Sequence, residues 1–234
     1  MALHREPQMP ELKKPPWIWV WLILATGGFA LLAVYFNWDE IPDPFPSHWN
    51  ARGEADAFTE KTWQQMFFMF GLPTLIFTAT VAGSFAFMHQ HAKHLRGEDW
   101  KIARSRAMTN SMLKPLGLWM FVLNLIIVVS MYFSITTVEI FSPLLIVGLI
   151  LVVVALLWQM AGVQKWVDEQ YPDPKISKHM KWGMFYYNPE DPNMMVHRDL
   201  NSTFNMAHPG SWVVMGALLG IPIIVVAVAI ILVN

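Results

Sequence analysis

Five stretches of this chain carry no Asp, Glu, Lys, Arg or His, and each is long enough to cross a bilayer: 17–36, 66–88, 115–137, 140–163 and 212–233. A hydrocarbon core about 30 Å thick takes about 20 apolar residues per helix. Lipid offers no partner to a free backbone N–H or C=O, so each stretch must be helical. The predicted fold is therefore an all-α integral membrane protein with five transmembrane helices. Composition agrees: only 14% of the 234 residues are charged, against about 25% in an average soluble domain. The first stretch exceeds a signal-peptide core of about 7–15 residues and no A-x-A-like site follows it, so it reads as a retained helix.

Lys and Arg orient the spans, because cytoplasmic loops are enriched in them. The N-terminal tail holds three, the loop after span two holds six and the loop after span four holds five, fourteen in all. The opposite side holds two, Arg52 and Lys61. The expected topology is N-terminus in, C-terminus out, in a cell membrane. It divides the chain into a cytoplasmic tail (1–16), a helical hairpin (17–88) with an outer loop (37–65), and a basic cytoplasmic loop (89–114). A second transmembrane hairpin (115–163), a cytoplasmic segment (164–211) and a last helix (212–234) follow. Pro73 and Pro222 should kink their helices. Gly216 and Gly220 form a G-x-x-x-G match, read either as a homodimer seam or as packing within the bundle.

The outer loop carries six acids (Asp39, Glu40, Asp43, Glu54, Asp56, Glu60) against its two bases. Pro42, Pro44 and Pro46 fix φ and favour an extended, polyproline-like approach. Gly53 permits a turn closed to other residues. His48, Asn50 and Asp56 are candidates for a hydrogen-bonded cluster, and histidine is the side chain whose charge changes near neutral pH. Three readings are open. The cluster holds an extracellular ligand, it holds a cation through His48 with Asp43, Glu54 or Asp56, or Trp49 packs on the helix ends while His48 and Asn50 cap the loop. No zincin-type spacing supports the metal.

The run Ile41-Pro-Asp-Pro-Phe-Pro-Ser-His48-Trp49-Asn50-Ala-Arg-Gly53-Glu-Ala-Asp56, closing with Lys61, resembles the P-x-H-W-N-x-x-G-x-x-D signature of the DUF1648 family. That domain occurs in bacterial multi-pass membrane proteins, including relatives of the SdpI immunity and signalling protein. The resemblance spans the first two helices and their loop, and it implies ligand-binding residues His48, Trp49, Asn50, Gly53, Asp56 and Lys61. A second run, Lys181-Trp182-Gly-Met-Phe-Tyr186-Tyr187-Asn188-Pro-Glu-Asp191-Pro, resembles a segment of another uncharacterised family, DUF5808. Neither family brings an established catalytic mechanism or a cofactor.

On the inner side, His89, His91 and His94 lie near the end of span two. His91 and His94 share a helical face, and they are weak metal candidates. The favoured alternative is a basic collar at anionic headgroups, formed with Lys93, Arg96, Lys101, Arg104 and Arg106. Residues 97–99 predict a turn and 100–113 a short basic helix. The segment 164–211 predicts a β-hairpin or three-strand meander, with strands at 182–187, 194–197 and 204–207 around a turn at 188–192. Trp182, Tyr186, Tyr187, Asn188 and Asp191 are its candidate partner-docking residues, unless the segment is only a lid over the helix ends.

The absence of cysteine excludes disulfides, thiolate metal sites and Cys nucleophiles. A net charge of −1 gives no field toward nucleic acid. No P-loop, G-x-S-x-G or G-x-G-x-x-G motif is present. The spans hold no ionisable group at depth, only Thr78, Thr80, Asn124, Ser130, Ser134 and Gln159, which weakens proton-coupled transport and intramembrane proteolysis. The first expectation is a binding or regulatory membrane protein. The alternative is an accessory subunit of a transporter or other membrane complex, or a small carrier. An outer-face enzyme has the least support. The expected partners are the bilayer and either a membrane protein or a second copy of the chain.

Overall fold

The computed structural model describes residues 9–50, 54–136, 143–173, 175–182, 185–198, 201–218 and 220. The order is helix α1 (Ile18–Phe36), strands β1 (Phe45–Trp49) and β2 (Ala55–Thr59), then helices α2 (Trp63–Met66) and α3 (Leu72–His94). Helices α4 (Asp99–Thr136) and α5 (Pro143–Gln170) follow. Strand pairs β3 (Met180–Lys181) with β4 (Phe185–Tyr186) and β5 (Met195–Arg198) with β6 (Asn201–Phe204) come next. A last helix is described over 209–218.

Four helices are long and apolar enough to cross a membrane: Ile18–Phe36, Trp63–His94, Asp99–Thr136 and Val147–Gln170. Most of the expected fifth span, and the expected turn at 137–139, lie outside the described residues. Large apolar side chains stand open along these helices, among them Phe29, Phe36, Leu151, Val154 and Trp158. Water does not tolerate apolar faces of that extent on a monomer, whereas lipid does. The chain is a membrane-embedded, mostly helical protein.

Contacts divide it into two compact units. One comprises Lys13–His91 and Asn110–Met160; the other comprises Met1–Leu12, Ala92–Thr109 and Ala161–Asn234.

In the first unit, one core cluster joins Val34 of α1, Ile41 and Phe45 of the 37–65 loop, Met66, Phe70, Val128 and Ile135. A second joins Ile23, Val81, Phe85 and Leu113, with Trp19 packed on it. Helices α1 and α3 approach closely at Gly27, where a Cβ would sit 2.6 Å from the Thr74 hydroxyl oxygen. Before Pro73, residues Phe67–Gly71 form a π-turn between α2 and α3. Pro73 has no N–H for the ladder and its ring crowds the preceding turn. The wider turn shifts the register there, with the Leu72 N–H donating to the Phe67 carbonyl. Gly71 leaves room for the Phe67 ring. Several hydroxyls inside the spans bond along their own helices: Thr78 donates to the Thr74 carbonyl, Thr80 to Ile76 and Ser134 to Met131, whereas the buried Thr74 hydroxyl has no partner among the described residues. Trp119 Nε1 donates to Gln159 Oε1. The buried Asn124 has no partner for its Nδ2 among the described residues. An apolar groove of about 350 Å³ lies between α1 and α4, lined by Leu22, Phe29, Ala33, Phe121, Leu125 and Phe133 among others.

In the second unit, α4 begins at Asp99 and runs unbroken through Pro115, so the expected short helix and third span are one element. Ala103, Arg104, Ser105, Ala107, Met108 and Thr109 are all buried. Packing on several faces holds the helix where an isolated peptide would break. Arg104 differs most from expectation. It does not join a headgroup collar: it is fully buried, donating to Asp168 Oδ1 and to the Tyr171 carbonyl, both at 2.6 Å. At the start of α4, Gly97 takes φ +137° and Glu98 holds Lys101 at 3.0 Å and accepts from Trp100 Nε1. The Lys101 hydrogen bond and charge keep the Glu98 carboxyl below its usual range.

Candidate functional site

The 37–65 loop is a folded β-hairpin, and its base is a clamp. Phe45 and Ile41 are anchored in the core of the first unit. Lys61 then closes the loop on itself. Its ammonium donates to the Trp38 carbonyl at 2.9 Å and the Ile41 carbonyl at 2.7 Å, while its backbone N–H donates to Asp43 Oδ1 at 3.0 Å. The same ammonium lies 5.3 Å from the Trp38 ring centroid, and that ring stacks on Trp63 at 4.5 Å. Lys61 is thus used in structure, holding the 38–41 turn against the start of α2. Thr62 accepts the Gln65 N–H as the cap of that helix.

Above the clamp, β1 and β2 pair antiparallel with Phe45 opposite Thr59, Pro46 opposite Phe58, His48 opposite Ala57 and Trp49 opposite Ala55. Register shifts on both sides of His48 mark a bulge, and bulges re-aim side chains. His48 Nδ1 meets Asp56 Oδ1 at 2.5 Å, with the imidazole 67% exposed. Asn50 organises the tip: its Nδ2 donates to Glu54 Oε2, its Oδ1 accepts the Glu54 N–H, and its own N–H donates to the Glu54 carbonyl. Trp49 is half-buried, and Phe58 stands exposed on the hairpin. Gly53 lies outside the described residues.

The sequence cluster of His48, Asn50 and Asp56 is therefore brought onto one hairpin, but as two pairs, His48 with Asp56 and Asn50 with Glu54. Sequence reasoning missed the strands because three prolines in five residues argue for an irregular segment. Neither Phe45–Trp49 nor Ala55–Thr59 alternates apolar with polar residues, so no period-two signal marked them in the sequence. Among the described residues no group of three or more His, Asp and Glu side chains comes together in a metal-binding arrangement. That holds for the loop and for His91 and His94 alike.

The segment after α5 is a hydrogen-bonded knot around Asn205, a residue that sequence reasoning passed over. Asn205 is fully buried. Its Nδ2 donates to the Asn188 and Asp191 carbonyls, its Oδ1 accepts the Asn188 and Ala207 N–H groups, and its N–H donates to the Met194 carbonyl. Ser211 Oγ donates to its carbonyl. Tyr186 is buried beside it, its hydroxyl donating to Asp191 Oδ2 and accepting from Asn188 Nδ2, both at 3.1 Å. Burial pushes the Tyr186 phenol up. The Asn193 backbone N–H, and then its side chain, hold the Asp191 carboxyl below its usual range. Of the five docking candidates, Tyr186, Asn188 and Asp191 build the knot, and Trp182 and Tyr187 are left on the surface. The strands fall at 195–198 and 201–204, with a parallel bridge from Tyr186 to Asn205. That is two hairpins laid together, where a single β-hairpin or a three-strand meander was expected.

No curated protein and no solved structure matches this chain. Residues 25–74, which hold the second half of α1, the clamp, the β1–β2 hairpin and the π-turn, match the family model described as a domain of unknown function, DUF1648.

Proposed function

We propose that this is a binding or regulatory membrane protein whose outer hairpin holds an extracellular peptide, envelope component or membrane partner. The observation that carries the reading is the contrast between the base and the head of the hairpin. The base is clamped by buried side chains and by Lys61. The head spends its polar groups on exposed pairs, and exposed ion pairs contribute only about 0–1 kcal/mol to stability. A 67% exposed imidazole at a bulge does little for the fold and is well placed for a ligand. With Lys61 engaged internally, the hairpin's surplus of carboxylates favours a ligand that presents positive charge. The positive-inside count supports an outer position for this head and an inner one for the Asn205 knot. In that arrangement the DUF5808-like knot passes on the bound state or recruits a protein. The likeness to SdpI relatives is consistent with a signalling setting.

A photo-activatable residue replacing His48 in living cells tests the reading. One discrete cross-linked partner is expected, falling at least tenfold when Asn50→Ala and Asp56→Ala are added. Cross-links to lipid alone, or a partner indifferent to those changes, would leave the hairpin as scaffolding. The accessory-subunit and homodimer readings have one observation in their favour. No described residue lies within 4 Å of a Cβ placed on Gly216 or Gly220, which leaves that seam open.

A further inference from the structure

We infer that the β3–β4 hairpin carries a second binding surface, one for anionic phospholipid headgroups. It rests on a different part of the chain from the outer-hairpin proposal. Met180 pairs with Tyr186 and Lys181 with Phe185. Side chains alternate across a strand and cross-strand partners share a face. The Met180–Tyr186 face is the buried one, turned into the Asn205 knot through the Met206 N–H to Tyr186 carbonyl bond. Lys181 and Phe185 therefore occupy the opposite face. The ladder continues by the Tyr187 N–H donating to the His179 carbonyl, which puts Tyr187 on that same outward side.

At the turn, Trp182 is 78% exposed, adopts φ +53° and meets the Phe185 ring edge-on at 6.2 Å. A large aromatic in the left-handed region is uncommon, so the turn holds the indole out at some conformational cost. Lys175, Lys178 and Lys181 are all exposed, and no acid occurs between residues 174 and 189. An amphipathic aromatic face that carries Lys181, with exposed Lys175 and Lys178 shortly before it in the chain, fits a membrane–water interface: the rings sit at headgroup depth and the ammonium groups meet lipid phosphates.

The chain keeps this face within reach of a bilayer. The Arg104 bond to the Tyr171 carbonyl pins the exit from α5. Lys175 lies five residues beyond Gln170, at most about 18 Å of extended chain.

The protein has no cysteine, so Tyr187→Cys gives a single labelling position in the full chain. A nitroxide there, in nanodiscs of phosphatidylcholine with or without 30% phosphatidylglycerol, reports depth by its relative collision rates with oxygen and a nickel chelate. The oxygen-to-nickel ratio is expected to rise at least threefold with phosphatidylglycerol and to fall back in 0.5 M salt. Lys175→Glu, Lys178→Glu and Lys181→Glu together should abolish the rise. Each labelled chain is checked for an intact knot by amide exchange at Asn205. A ratio indifferent to lipid charge, or a rise that survives the three changes with the knot intact, overturns the inference.

Discussion

Lys61 illustrates how one side chain can carry a loop. Two carbonyls and an indole face converge on its ammonium, and hydrogen bonds to a charged group contribute about 1.5–3 kcal/mol each. Lys61→Met keeps the stem and removes the donors. It is expected to weaken the hairpin by about 2 kcal/mol, read as roughly thirtyfold faster amide exchange at β2 with the helices unchanged. The ligand role that its place in the motif implies is set beside a structural one, because sequence cannot show that its donors are already engaged. The motif did single out His48, Asn50 and Asp56. The Asn50–Glu54 partnership was hidden because acids at 54 and 56 are equivalent on paper, and only the bulge decides which one each side chain meets. In the knot, the signs follow from the two shifts. The lowered Asp191 carboxyl contributes stability present above the ordinary carboxylate value of about 4, and it is lost as pH falls through the lower folded value. The raised Tyr186 phenol contributes stability present below the ordinary tyrosine value of about 10, and it is lost as pH rises through the higher folded value. The protection of the Asn205 amide, its exchange rate relative to an unstructured peptide at the same pH, should therefore be greatest across the range between and fall at both ends. In Asp191→Asn the acid limb should flatten.

At the scale of elements, the helices were legible and their joints were not. Charge-free runs of about 20 residues have one physical solution in lipid, so α1, the α2–α3 rod and α5 follow from composition. The joints depend on tertiary contacts that leave no periodic trace. Pro115 reads as a helix start, yet α4 passes through it, because the preceding turns are buried on several faces. Arg104 reads as one more surface base in a basic loop, and only the fold supplies Asp168 sixty-four residues away. Breaking a buried pair from one side leaves an uncompensated charge and costs about 3–5 kcal/mol, whereas replacing both partners with apolar groups costs far less. Arg104→Leu should strongly reduce thermal stability in detergent, and adding Asp168→Leu should restore most of it. The glycines of α1 make a sharper pair. A Cβ on Gly27 would collide with Thr74, and a Cβ on Gly28 meets nothing within 4 Å. Gly27→Leu is expected to cost about 1–3 kcal/mol by overpacking. Gly28→Ala should be neutral or slightly stabilising, since alanine is the better helix former.

For the whole molecule, orientation is the property on which the division of labour depends, and it is set by a count. Fourteen Lys and Arg stand on one predicted side against two on the other. One of the fourteen, Arg104, is engaged in a buried pair and one of the two, Lys61, is engaged in the clamp. The positive-inside bias acts on short loops near span ends during insertion, before either side chain finds its folded partner. Discounting both still leaves thirteen against one, so the bias does not hinge on either residue. Single cysteines replace His48 or Tyr187 without a background to remove, because the natural chain has none. A membrane-impermeant maleimide applied to intact cells should label His48→Cys within minutes. It should label Tyr187→Cys only after permeabilisation. The opposite pattern would put the carboxylate-rich hairpin in the cytoplasm and the lysine-bearing aromatic face outside, and the proposed ligand site would lose its access to the exterior. Labelling at both positions in intact cells would require an even number of spans between 48 and 187. The three helices Trp63–His94, Asp99–Thr136 and Val147–Gln170 all crossing would place the two positions on opposite sides. That result would therefore mean that one of these apolar helices does not cross.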